Sequence, residues 1–441
     1  MISASSNAAC NLLYDALWRW QIPAWRFLSE KEDNKSYGFK NSRRETVLSH
    51  CLPEAARQKL FDNGYTMSST FNKRVNTKCL ELMRGSNKAV VCTTSMAARK
   101  PALSSMRYKN VLIDEAAQST EPDVCQAVVR CENALALIGD HKQLPATVKS
   151  EWNRRQGLEK SMFQRLFELH GLPVMVLSCQ YRMHPSIATY PSAQFYSDGL
   201  LSMTHWDSAP RGYNFPSGAP VCFEHVQGDE EKDGTSYLNH CEAKRIVDIV
   251  RGFHDAGEIS SVSIGILAPY KGQVVYITKL LREARVKVGF VLSVDKAQGS
   301  EIDVILYSAD CSNPKGRLGF VADHRRLNVA MTRAKKAVIF VGDYWTLSAV
   351  DSQHAWTPFL KFFSEQNWIS ALSKNTRDVE KVKVTKPEES RVIAEFPPSL
   401  RARRAWLNSS DLEAIYDDAC VTGRLLLKST SLRYLFSYVN S

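Results

Sequence analysis

Asp114 and Glu115 stand side by side at the end of the apolar run Val111 to Ile113, in the stretch VLIDEAAQ. Neighbouring carboxylates at a strand end can hold a divalent cation with one group and aim a base at water with the other. The same pair can equally cap the next helix. Two further runs end alike. KAVVCTT closes on Thr93 and Thr94, and NALALIGD closes on Gly139 and Asp140, with Gln143 three residues beyond. Crossover-length segments separate the runs, as in a parallel sheet whose loops leave along one edge, where ligands bind.

A second group lies further along. VMVLSCQYRMHP puts Tyr181 and Arg182 after an apolar run, and the runs at 262–270, 301–310 and 336–343 repeat the pattern. VDKAQGSE and the Arg-rich helix start HRRLNVAMTRAK lie between them. Two α/β units in tandem suggest a nucleotide in a cleft between them, with Arg182 or Arg333 reaching the γ-phosphate. Taken singly, either arginine also fits a surface salt bridge.

MISASSN reads as the end of a strand that leads into a helix over 8–20. From 23 to 78 the periodicity fades, and 11 basic residues face 6 acidic ones, with Trp25, Phe27, Tyr37, Phe39, Phe61 and Tyr65 interleaved. That mixture suits phosphates and bases, or else a helical insertion with its own core. Residues 149–172 form a helical connection. From 371 the chain turns charged, then carries the basic PPSLRARRAW and helix-compatible stretches to 441.

Length and composition bound the class. The 441 residues allow two or three domains, and 44% hydrophobic with 23% charged residues excludes a disordered chain. No apolar run has the length of a membrane span, and MISASSNAAC has no signal-peptide character, so an intracellular setting, cytoplasmic or nuclear, is expected. Eleven cysteines without a CxxC pair argue against a zinc cage or disulfide framework. The +11 formal charge favours a polyanionic partner.

Eight stretches in order carry a family resemblance: SASSNAACNLL, DEAAQSTEP, GDHKQLP, QYRMHPSIATYPSAQFY, GTSYLNHCEA, ILAPYKGQ, SVDKAQGSEID and RRLNVAMTRAK. Over residues 1 to about 370 the chain resembles the superfamily 1B helicases of the up-frameshift and senataxin type, in particular their nonsense-mediated decay branch. The resemblance implies two RecA-like parallel-sheet domains, a partial first one at 1–178 with the insertion at 23–78 and a second at 179–370, followed by a tail at 371–441. It implies ATP and magnesium as cofactors and 5′ to 3′ movement on single-stranded RNA or DNA, RNA being favoured. Asp114 would support magnesium and Glu115 would deprotonate the attacking water. Gln143 would sense the γ-phosphate, and Arg182 and Arg333 would clamp it. Tyr181 would stack on the base and Glu301 accept from the ribose, with Gln298 and Gly299 in the same nucleotide-side loop. Ser5, Ser6, Asn7, Thr93, Thr94, Tyr270 and Ser293 would line the nucleic-acid path, and the tail would serve protein partners.

Three departures qualify the resemblance. Ala297 and Ser300 replace the family's usual Phe and Arg in VDKAQGSE. A loop of the form GxxxxGK[ST] is also missing, and Gly-Lys occurs nowhere in the chain. The family places that loop and its strand upstream of the first motif seen here, so the sequence reads as an N-terminally truncated helicase with an incomplete first sheet. The alternative is a non-catalytic nucleic-acid-binding or scaffold protein derived from a helicase. Against it, a pure binder needs no pair of γ-phosphate arginines.

Overall fold

Short apolar runs that end in polar residues form the first sheet in the computed structural model. Its strands are β1 (Ile2–Ala4), β2 (Ala24–Arg26), β3 (Ala89–Thr93), β4 (Tyr108–Asp114) and β5 (Cys131–Leu137), all parallel in the order β2-β3-β1-β4-β5. The structure describes residues 1–27, 52–63, 71–168, 175–205, 208–234, 236–313, 315–349 and 355–370. These divide into two units between Met175 and Val176. The tail from 371, with its basic stretch, and the aromatic residues Tyr37, Phe39 and Tyr65 lie outside the described residues.

Register fixes the functional edge of the first sheet. Ala4 pairs with Thr93 on one side and Asp114 on the other, so Ser5, Thr94 and Glu115 all leave the sheet at one level. The helix Asn7–Arg19 starts there because the Ser6 hydroxyl accepts from the Ala9 amide at 3.1 Å, satisfying a donor that the first turn leaves open. Cys10, Leu13, Tyr14 and Leu17 recur at helical spacing and bury that face against β1 and β3.

Arg26 on β2 ties this helix to the sheet. It is fully buried, and its guanidinium donates to Asn11 Oδ1 at 2.9 Å, Asn7 Oδ1 at 3.0 Å and Phe27 O at 2.6 Å. We expect Arg26→Ala to destabilise the protein by about 3 kcal/mol, because several buried acceptors lose a charged donor at once. In a unit of this size that lowers the thermal midpoint by about 6–12 °C. An unchanged melting curve would contradict this.

The described residues of the 23–78 segment do not keep a core of their own. β2 is a sheet strand, and Ala56, Leu60, Val75, Cys79 and Met83 pack in one cluster with Val90, Val111 and Ile113. They come from the helices Leu52–Asp62 and Phe71–Arg84, and Val75, Cys79 and Met83 form a stripe with a spacing of four that must be buried somewhere. β5 differs from the inner strands. Among the described residues it lies at the sheet's edge, with Leu135 38% exposed and Ala134, Ala136 and Leu137 only half-buried.

The second unit holds β6 (Cys179–Gln180), β7 (Leu201–Ser202), β8 (Val221–His225), β9 (Glu230–Asp233), β10 (Ser236–Asn239), β11 (Ile264–Ala268), β12 (Phe290–Ser293), β13 (Ile302–Ser308), β14 (Ala334–Gly342) and β15 (Ile369–Ser370). Six of them form a parallel sheet in the order β12-β11-β13-β14-β8-β15. β8, β12 and β15 were not anticipated as strands of it. VMVLSC, read above as one more sheet strand, instead gives only β6, which pairs with β7 in a separate two-stranded sheet, while Met175, Val176 and Leu177 are exposed. A short apolar run does not reveal its pairing partner. Among the described residues no helix is long and apolar enough to cross a membrane.

A buried acidic pair supports the second sheet's edge. Glu242 lies in the first turn of the helix His240–Ala256, which Asn239 caps by accepting from the amides of Cys241 and Glu242 at 3.1 Å. Its Oε2 accepts from Ser308 Oγ at 2.6 Å and from the Asp310 amide at 2.8 Å. Burial, with Asp343 adding repulsion, pushes the Glu242 carboxyl up to about 8 from an ordinary 4.5, and burial beside Glu242 raises Asp310 well above its usual range. The folded state therefore holds a proton that the unfolded chain releases. This contribution to stability is complete below about pH 4.5 and is lost as pH rises through 8. We expect the thermal midpoint to fall between pH 5 and 8 more steeply in the native protein than in Glu242→Gln; parallel curves would contradict it.

Candidate nucleotide and nucleic-acid sites

In the first unit, the carboxylates sit where β4 breaks. Asp114 is its last residue and buried, while Glu115 turns into the left-handed region at φ 54°, a conformation that costs a non-glycine residue free energy. The surroundings hold it there. Ala116 donates to Ile138 O at 2.8 Å, the Glu115 carbonyl accepts from the Gln118 amide at 3.0 Å, and the Gln118 side chain donates to the Glu115 carboxylate. Gly139 passes so close that a Cβ there would lie 2.9 Å from the Ala117 nitrogen. The next strand end is braced as well. Asp140 accepts from the Lys142 amide at 2.9 Å and from the Gln143 side chain at 2.9 Å, which sets the direction of Gln143.

Carboxylate oxygens are the donors that magnesium prefers, and magnesium needs only one or two of them when phosphates and water fill its remaining positions. Among the described residues there is no group of three or more His, Cys, Asp or Glu placed to hold a metal ion. The set thus fits an ion that arrives with a phosphate and not one caged by protein alone.

In the second unit, Gln180 organises the QYRM turn. Its Oε1 accepts from the amides of Arg182 and Met183 at 3.0 and 2.8 Å, and its Nε2 donates to Met183 O and Ser202 Oγ. The helix Pro185–Phe195 follows, with the His184 amide bonded to Lys335 O at 2.7 Å and Tyr190 packed edge-on against Phe359 at 5.1 Å. Arg182 is thereby aimed at Glu301, with Nε 2.8 Å from Oε2, and at Thr332 O, 3.1 Å from Nη1. Lys335 reaches the other Glu301 oxygen at 3.0 Å. Partial burial opposes the charge of Glu301, but Arg182 and Lys335 together hold its carboxyl below the ordinary range.

Arg333 joins the same cluster from beneath. It is 3% exposed and donates to Val329 O at 3.1 Å, Ser300 O at 3.3 Å and Thr332 Oγ1 at 3.0 Å. The turn it meets depends on Gly299, whose φ of +81° suits glycine, and on Ser300, whose hydroxyl donates to Ala297 O. Arg182, Arg333 and Glu301 therefore come together around Thr332 and Ser300, with Gln298 and Gly299 in the turn that leads to Ser300. Tyr181, the expected stacking residue, is 38% exposed.

The expected nucleic-acid residues divide. Ser5 and Ser6 are exposed at the first sheet's edge, and Tyr270 and Ser293 are half-buried at the ends of β11 and β12. Thr93 and Thr94 are only 8% and 1% exposed, and Asn7 Oδ1 accepts from Arg26. Gln118 and Gln180 are not singled out by the sequence, and Asp140, placed at its strand end, is not assigned the bracing of Gln143. Each lies within three residues of a chosen residue, and a polar side chain at that spacing in a tight turn was the available signal.

Models described as AAA domain match residues 29–151 and 158–344. The regulator of nonsense transcripts 1 homolog of Neurospora crassa is 34% identical over 360 residues, covering 78% of this chain and 33% of that protein. The Arabidopsis thaliana homolog is 35% identical over 346 residues, 75% of this chain and 27% of its own length. The ATP-dependent helicase upf1 of Schizosaccharomyces pombe is 31% identical over 409 residues, 88% of this chain and 43% of its own. The chain thus spans less than half the length of the curated relatives it matches. Among solved structures, an arterivirus nonstructural protein 10 helicase in complex with DNA gives a TM-score of 0.40 at 11% identity, over 79% of this chain and 55% of that one, a distant likeness only.

Proposed function

Because the chain belongs to the superfamily 1 helicases of the up-frameshift type, we propose that it is part of an ATP-driven motor that moves 5′ to 3′ along single-stranded nucleic acid inside the cell. The observation that carries this reading is the break at the end of β4, where a buried Asp114 is followed by Glu115 held at φ 54° beside the braced Gln143. RNA is the favoured track, since relatives are named as regulators of nonsense transcripts.

Asp114 would hold the magnesium ion, directly or through water. Magnesium, when bound, offsets phosphate charge and orients the phosphoryl group. Glu115 takes the proton of the attacking water, and Gln143 donates to the γ-phosphate or that water. Arg182 and Arg333 place guanidinium charge on the equatorial oxygens, which requires Arg182 to exchange Glu301 for phosphate. Glu301, then released, accepts from the ribose, and Tyr181 stacks on the base.

These residues leave the phosphates without a cradle, because no Gly-Lys step exists in the chain. Hydrolysis needs such a cradle, and among the described residues the edge strand β5 offers a free side for one more parallel strand. The half-exposed apolar residues of that edge strand support this, since parallel strands are normally covered on both faces. The second reading, a non-catalytic binder, is favoured by the engagement of Arg333 with main-chain oxygens.

Fluorescence anisotropy with labelled single-stranded RNA and DNA tests the binding half. The proposal expects sequence-tolerant binding that weakens steeply with salt and is tighter for RNA; no binding at low salt would overturn it.

A further inference from the structure

Phe320 stands out from its own turn. It lies in the short 3-10 turn Gly319–Ala322, whose Leu318 and Val321 neighbours are 4% and 2% exposed, yet Phe320 itself is 41% exposed. The turn is anchored, since Val321 O accepts from the buried Trp356 indole at 3.0 Å. The ring is also fixed. The Arg326 guanidinium lies 3.4 Å from its centroid, and Arg326 is held in turn by Asp323 at 3.0 Å and Asp295 at 3.2 Å. Tyr270 lies beside it, centroids 6.0 Å apart and tilted by 41°. Tyr237 packs edge-on behind Tyr270 at 5.2 Å.

We propose that Phe320, set in place by Arg326 and Tyr270, is a platform on which one base of the single strand stacks; this rests on the reading of the chain as a nucleic-acid motor. An aromatic ring already held in one orientation loses little conformational freedom on binding a flat partner. Two connections join it to the strand path. Phe320 touches Tyr270, and Arg326 reaches Asp295, two residues after Ser293. The adjoining loops carry exposed cations at Lys271, Lys296, Lys315 and Arg317. A partner with regularly spaced phosphates and flat bases satisfies both the cations and the ring.

The test uses the full chain without nucleotide and measures anisotropy of a labelled oligoadenylate and of an abasic sugar-phosphate oligomer of equal length. Phe320→Leu keeps an apolar side chain and removes the π face; Phe320→Trp keeps the face. The expected result is roughly tenfold weaker oligoadenylate binding in Phe320→Leu, with the abasic strand unaffected and Phe320→Trp close to native. If native protein binds both strands and Phe320→Leu changes neither, or weakens both equally, the platform is wrong while the motor reading stands. If native protein binds neither strand, both fail. Circular dichroism and melting of Phe320→Leu are expected to match native protein, and a lost fold would leave the decision to Phe320→Trp, which must then retain native affinity.

Discussion

Glu115→Gln is expected to lower ATP turnover by about 10²–10⁴-fold, in the chain joined to a P-loop segment, while single-strand affinity stays within about twofold. The substitution changes no volume and keeps one oxygen. It keeps the backbone turn as well, because the Ala116 to Ile138 bond and the close approach of Gly139 are untouched and the remaining oxygen still accepts from the Gln118 side chain. What disappears is the proton acceptor. A structural role for Glu115 would instead appear as a lower melting temperature with proportionate loss of both activities. Turnover and stopped binding measured on the same preparation separate the two cases.

Arg182→Ala is expected to lower turnover further, by about 10³–10⁵-fold, with little effect on folding. Its ion pair with Glu301 is partly exposed, at 20% and 40% for the two side chains, so removing it costs about 0–1 kcal/mol. Lys335 continues to neutralise Glu301. Arg182→Lys should recover little, since one ammonium cannot donate to Glu301 and the Thr332 carbonyl in the geometry that orients the arginine, nor meet phosphate with a fork. Turnover in Arg182→Ala within tenfold of native would remove the arginine from the chemistry.

The strand ends were legible because their signal is local. KAVVCTT, VLIDEAAQ and NALALIGD each carry an apolar run and its polar stop within a few residues, and those runs became β3, β4 and β5. Pairing is not local. Nothing near VMVLSC tells that β6 joins β7, or that VCFEH is sandwiched between β14 and β15. The family motifs brought Arg182, Arg333 and Glu301 into one set, and they do meet around Thr332 and Ser300. What they touch there was beyond sequence reasoning, because a guanidinium accepts carboxylate, carbonyl or phosphate partners alike. Asn7 illustrates the same limit. A polar residue at a strand's polar edge reads as a ligand contact, and nothing local shows that its Oδ1 also accepts from the fully buried Arg26.

The central claim is that the catalytic carboxylate and the arginines are present here while the phosphate cradle is not. The most direct test is the steady-state ATPase rate of the purified 441-residue chain with saturating single-stranded RNA. The expected rate is at background and unchanged by Glu115→Gln, with hydrolysis only when a P-loop-bearing segment is joined upstream. Robust RNA-stimulated hydrolysis by this chain alone, abolished by Glu115→Gln, would contradict it.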